Sequence, residues 1–106
     1  MTAMTMTTTY WPAVASFYGD DDGYRAFREQ HPDCFVLNYN EQSRCGMLHR
    51  ATCPQLARAT PANGYNWTWS NPKVCATHRN LMWSAVDLLI GRDRVSECWF
   101  CMYERP

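Results

Sequence analysis

Two residue pairs with metal-ligand spacing constrain this 106-residue chain more than anything else in it: His49-x-x-x-Cys53 near the middle and Cys98-x-x-Cys101 close to the end. One backbone turn brings both donors of a pair within reach of one ion, and two such pairs make the four ligands of a closed, structural site. Closing the chain through them pins the segment before Cys98 against the segment that carries His49. Metal binding to such a set is also folding free energy, on the order of 10 kcal/mol. That contribution matters at a length where a single core is adequate but not generous.

Residues 1–9, Met-Thr-Ala-Met-Thr-Met-Thr-Thr-Thr, hold no basic run and no continuous apolar segment, and no later segment is long enough to cross a bilayer. A cytoplasmic protein is expected, with a disordered tail over residues 1–9 and one α+β domain over residues 10–106. In a reducing compartment cysteines serve as metal ligands or reactive thiols sooner than as disulfides. One structural zinc ion on His49, Cys53, Cys98 and Cys101 is therefore expected. Cys45, four residues before His49, competes for a ligand position, and Cys98 and Cys101 could instead be buried thiols among Trp99, Phe100 and Met102. The sequon Asn66-Trp67-Thr68 carries no weight without export.

With 46% hydrophobic and 14% aromatic residues the chain is too apolar to be disordered. Trp11 to Tyr18 reads as a helical turn or arm. The acidic run Asp20-Asp21-Asp22 suits the start of a helix, since carboxylates cap the free N–H groups of a first turn. That helix is predicted from about Asp22 to Gln30, with Tyr24, Phe27 and Arg28 on its inner side and His31-Pro32 at its end. Residues 34–39 read as a buried strand, followed by a polar hairpin loop over 40–46 that leads into residues 47–50. Tyr65, Trp67 and Trp69 alternate among turn signals, as an aromatic hairpin or an ordered loop. Lys73-Val74-Cys75-Ala76 reads as another strand. Thr77 is placed to cap a helix through Ile90, with Leu81, Met82, Ala85, Val86, Leu89 and Ile90 inward and Gly91 as its stop. The fold class is α+β, a small antiparallel sheet with flanking helices.

Formal net charge is zero, but residues 42–86 contain no acid and carry Arg44, Arg50, Arg58, Lys73 and Arg79. If this segment presents one face, that face is basic. Interleaved with Trp67 and Trp69, these cations could contact phosphates and stack bases.

His49-Arg50-Ala51-Thr52-Cys53-Pro54, then Lys73-Val74-Cys75, a helix and the terminal Cys98-Trp99-Phe100-Cys101 resemble the zinc-binding domain of the Ada DNA-repair protein over about residues 46–103. The resemblance implies a zinc-stapled scaffold with a DNA-facing basic surface. In that family all four ligands are cysteines, and the first accepts a methyl group from a DNA phosphotriester. Here His49 holds that position, and imidazole is a poor acceptor beside a zinc-bound thiolate. The segment from Tyr24-x-x-Phe27 through Cys34-Phe35-Val36-Leu37-Asn38 to Cys53 is also similar to small bacterial and phage-borne modules.

Two functions compete. The first is a non-catalytic zinc module that binds nucleic acid or acts with nucleic-acid-processing machinery. The second is a phage or accessory protein that docks on a host complex through an aromatic surface, residues 63–71, without membrane or small-molecule substrate. Enzymatic activity is not expected: Cys75-x-x-His78 sits near a helix start, but a catalytic zinc needs an open position and a nearby base.

Overall fold

The protein is seen in a computed structural model that describes residues 13–54, 56, 68 and 71–102. In chain order these form β1 (Val14–Phe17), α1 (Asp21–Gln30), β2 (Phe35–Asn40), β3 (Cys45–Arg50), β4 (Lys73–Ala76), α2 (Arg79–Leu89), a 3-10 turn (Arg92–Arg94) and β5 (Val95–Glu97). The strands make one sheet in the order β1-β4-β2-β3-β5. The α+β class is as expected, but the sheet is mixed. Three pairs are antiparallel and β5 runs parallel to β3, with Leu48 opposite Glu97.

Side chains alternate between the faces of a sheet, and the register assigns them. Phe17, Lys73, Cys75, Val36, Met47 and His49 share one face; Phe35, Leu37, Val74 and Leu48 share the other. Helix α1 lies on the first face, where the Phe17 ring meets Tyr24 at 6.2 Å and Phe27 at 5.9 Å between centroids. Helix α2 lies on the second, buries Met82 and Val86, and sets Arg79 over the Phe35 ring. The sheet is thus the middle layer between two helices, with the core on both sides of it.

Asp20 caps α1 by accepting the Gly23 N–H at 2.9 Å, so the helix starts at Asp21, one residue earlier than expected. The Asp21 carboxylate accepts the Thr68 N–H at 2.8 Å and its hydroxyl at 2.7 Å. A charged group in the core is thereby satisfied, and residue 68 is tied to the helix start. Arg28 is only half-buried and reaches past the helix end to the Ala51 carbonyl.

Several expectations are corrected. Of the helical turn or arm expected over residues 11–18, residues 14–17 form an edge strand and no helical turn, because their backbone pairs with β4. The N-cap of α2 is His78, not Thr77, and its side chain makes no capping bond. Leu81 and Leu89 face outward, and Leu88 is 88% exposed, so the inner face of α2 is narrower than the run of apolar residues suggested. Gly91 ends that helix with φ of 94°, donating its N–H to Val86 O at 2.8 Å. The disordered tail expected over residues 1–9 and the aromatic hairpin of Tyr65, Trp67 and Trp69 lie outside the described residues.

Gly46 is a point of close approach. A Cβ there would stand 2.9 Å from Leu37 Cδ1 and 3.2 Å from the Asn38 carbonyl oxygen. Leu37 is fully buried and a strand backbone cannot retreat alone. Gly46→Ala is expected to cost about 1–3 kcal/mol as overpacking, read from a lowered urea midpoint at unchanged slope.

Candidate metal centre

Strand β3 delivers His49 on the α1 face, and the turn that follows delivers Cys53, whose N–H donates to Arg50 O at 3.0 Å. Strand β5 delivers Cys98, whose N–H donates to Leu48 O at 2.8 Å. A turn closed by the Met102 N–H on Cys98 O at 2.9 Å then returns Cys101 to the cluster, while Met102 is buried in the core. The two ligand pairs are therefore carried on adjacent parallel strands. That pairing, which no local pattern announced, is what brings the end of the chain to its middle.

One donor atom from each of His49, Cys53, Cys98 and Cys101 lies within 4.8 Å of the other three, and the four could hold a metal ion. The Cys53 and Cys98 sulfurs are 3.9 Å apart. Two thiolates on one tetrahedral ion with bonds of about 2.3 Å would be about 3.8 Å apart, so this edge needs almost no adjustment. His49 Nδ1 is buried without a hydrogen-bond partner among the described residues. Such an atom is costly unless an ion or a proton donor completes it. Three sulfurs and an imidazole form a soft donor set that closes on itself.

The electrostatics agree. Burial pushes the Cys101 thiol up to about 12, against the lowering effect of the Arg50 N–H, which donates to its sulfur at 3.3 Å. At Cys98 burial also opposes ionisation, but N–H groups of Cys101 and Phe100 outweigh it and lower the thiol. Without a cation these crowded sulfurs cannot all ionise, and a divalent ion removes that repulsion. Burial, and then the Lys73 charge, lower the His49 pKa below its ordinary 6.5, so the imidazole stays neutral as a ligand must. An ion held by these donors would compete with protons for them, so acid favours its release. Metal content after dialysis at stepwise lower pH is expected to fall steeply, with the multi-proton character such a set imposes.

Arg50 holds the outer wall. Its Nε–H donates to the Cys101 carbonyl at 2.9 Å and its guanidinium lies 5.5 Å from the Phe35 ring centroid. Arg79 approaches the same ring to 5.2 Å and pairs with Glu97 at 3.5 Å.

The other expected site residues are scattered. Arg44 is exposed on the β2–β3 hairpin, at the opposite end of β3 from the cluster, and its carbonyl accepts the Arg94 Nε–H at 3.0 Å. Lys73 is buried at 3% exposure, its Nζ donating to Asn71 O at 3.2 Å, and burial lowers its pKa to about 8 against the pull of Asp21. It is not on an exposed basic face, because strand alternation turns it toward α1. Arg58, Trp67 and Trp69 lie outside the described residues. Cys45 is exposed on the hairpin, 2.9 Å from Ser43 Oγ, and is not in the cluster. Cys75 is buried in β4, where its thiol bonds with Cys34; that contact lowers the Cys34 thiol and raises Cys75. His78 is the exposed N-cap residue of α2, with its Nδ1 2.9 Å from Thr77 Oγ1.

Sequence reading missed the supporting role of Arg50 and the exposed apolar surface beside the cluster. Trp99 is 66% exposed and Phe100 44%, with their rings edge-on at 6.1 Å, and both border a cavity of about 240 Å³ with Met47, His49, Glu97 and Cys98. Set against known proteins, the chain has no match among family models, curated sequences or solved structures, and the Ada zinc domain stands as a resemblance of motifs alone.

Proposed function

We propose that His49, Cys53, Cys98 and Cys101 hold one structural Zn²⁺, and that the domain is a non-catalytic module which docks on a partner protein. The observation that carries this reading is the closed donor set: four protein ligands fill a tetrahedral ion and leave no position for substrate or activated water. Glu97, the acid beside His49 in the cavity wall, pairs with Arg79 and is a poor candidate for a general base. The zinc would anchor the segment that exposes Trp99 and Phe100, residue types that dominate protein-binding hot spots.

The nucleic-acid reading draws on a different set of groups, Arg50 and Arg79 around Phe35 with Arg44 on the hairpin. It is the weaker one, because Lys73 is buried, Arg50 is committed to Cys101 and Arg79 to Glu97. Native mass spectrometry of untagged protein should find one zinc per chain that a strong chelator removes. Fluorescence anisotropy with a mixed-sequence oligonucleotide should find no binding at physiological salt. Tight binding that weakens steeply with salt would replace the docking reading with the nucleic-acid one.

A further inference from the structure

A second cavity, of about 450 Å³, opens between the last turns of α1 and the metal-binding turn, lined by Arg25, Arg28, Glu29, Pro32, Ala51 and Thr52. Its volume falls within the roughly 300–1,000 Å³ of small-molecule sites. Arg28 is fixed in its wall. The Nε–H and an Nη2–H both donate to the Ala51 carbonyl, at 3.2 and 2.6 Å, and the guanidinium lies 5.1 Å from the Tyr24 ring centroid. A guanidinium has five N–H groups. The remaining three have no partner among the described residues, although the side chain is half-buried.

Arg25 stands one helical turn earlier, on the same side of α1, and shares its charge with exposed Asp22 at 3.4 Å. Thr52 is exposed and brings a hydroxyl. The lining holds two cations against the single carboxylate of Glu29.

We propose that this cavity binds a small oxyanion, the phosphate or carboxylate group of a metabolite, with Arg28 as the recognising fork and Arg25 and Thr52 as flanking donors. A planar guanidinium with parallel N–H groups matches such an oxyanion bidentately, and an arginine already held by Ala51 and Tyr24 loses little freedom on binding. Ala51 and Thr52 lie between the ligands His49 and Cys53, so the metal-binding turn supplies one wall. The site goes beyond the docking reading and does not depend on it.

The test is an amide- and guanidinium-resolved NMR titration of the protein as purified. Sodium phosphate and sodium acetate are added separately, each compared with sodium chloride at matched ionic strength. Saturable shifts at the Arg28 Nε–H and the Thr52 amide are expected, with affinity at least about tenfold lower in Arg28→Lys, which keeps the charge and loses the fork. Saturation by phosphate alone assigns a phosphate ester, and saturation by acetate alone a carboxylate. Shifts that stay linear and equal to those in chloride would overturn the proposal. If Arg28→Lys does not fold, Arg25→Gln and Thr52→Ala on the cavity rim carry the test, and saturation undiminished in both would overturn it equally.

Discussion

Cys98→Ser is expected to abolish metal binding and to unfold the end of the chain together with part of the sheet. A serine hydroxyl does not ionise near neutral pH and is a hard, weak ligand for a soft-donor site. The substitution also removes the sulfur that stands 3.9 Å from Cys53 and that receives N–H groups from Phe100 and Cys101. Strand β5 has only three residues and pairs with β3 at the sheet edge, so besides the cluster it is held by Val95 against the core, the Arg79–Glu97 pair and the Arg94 bonds to the hairpin carbonyls. Structural zinc is worth on the order of 10 kcal/mol in domains that have no fold without it. This domain keeps a core on both sides of its sheet, so a loss of several kcal/mol is expected, against a total stability of about 5–15 kcal/mol. Metal content, thermal unfolding and NMR shifts along residues 46–49 and 95–102 check it together. A variant that keeps its metal and its melting temperature would remove Cys98 from the ligand set.

Phe27→Ala is expected to cost about 3–5 kcal/mol while leaving metal stoichiometry intact in the molecules that remain folded. Phe27 is fully buried on α1, contacts the Phe17 ring, and lies 4.7 Å from the His31 ring between centroids. Truncation leaves a ring-sized void between α1 and the sheet, which close-packed neighbours cannot refill. Urea unfolding monitored alongside metal content separates this from the Cys98 variant: both lower stability, but only the Cys98 variant loses the metal. Near-native stability of Phe27→Ala would mean that α1 does not pack on the sheet through this ring.

The contrast follows the range of the interactions involved. The candidate ligand pairs were readable because each pair is local, and donors three or four residues apart converge in a single turn. Strand Lys73–Ala76 and the stop at Gly91 were readable for the same reason, since turn residues flank the one and the other adopts a conformation that glycine tolerates best. Strands β1 and β5 were not, because Val-Ala-Ser-Phe and Val-Ser-Glu are too short to show a period and exist only through their pairing with β4 and β3.

The amino-acid sequence by itself determined the two candidate ligand pairs, the two helices and the α+β class, all properties of residue type and short spacing, while Cys45 stayed open as a competitor until the tertiary structure left it out of the cluster. Tertiary structure alone decided that Lys73 is buried while Trp99 is exposed, that Arg50 and Arg79 converge on Phe35 rather than on a basic face, and that Arg28 opens into a cavity against Ala51. Each of these depends on contacts between elements distant in the chain, where burial and a partner's charge set what a residue can do, and neither is encoded in its immediate neighbours.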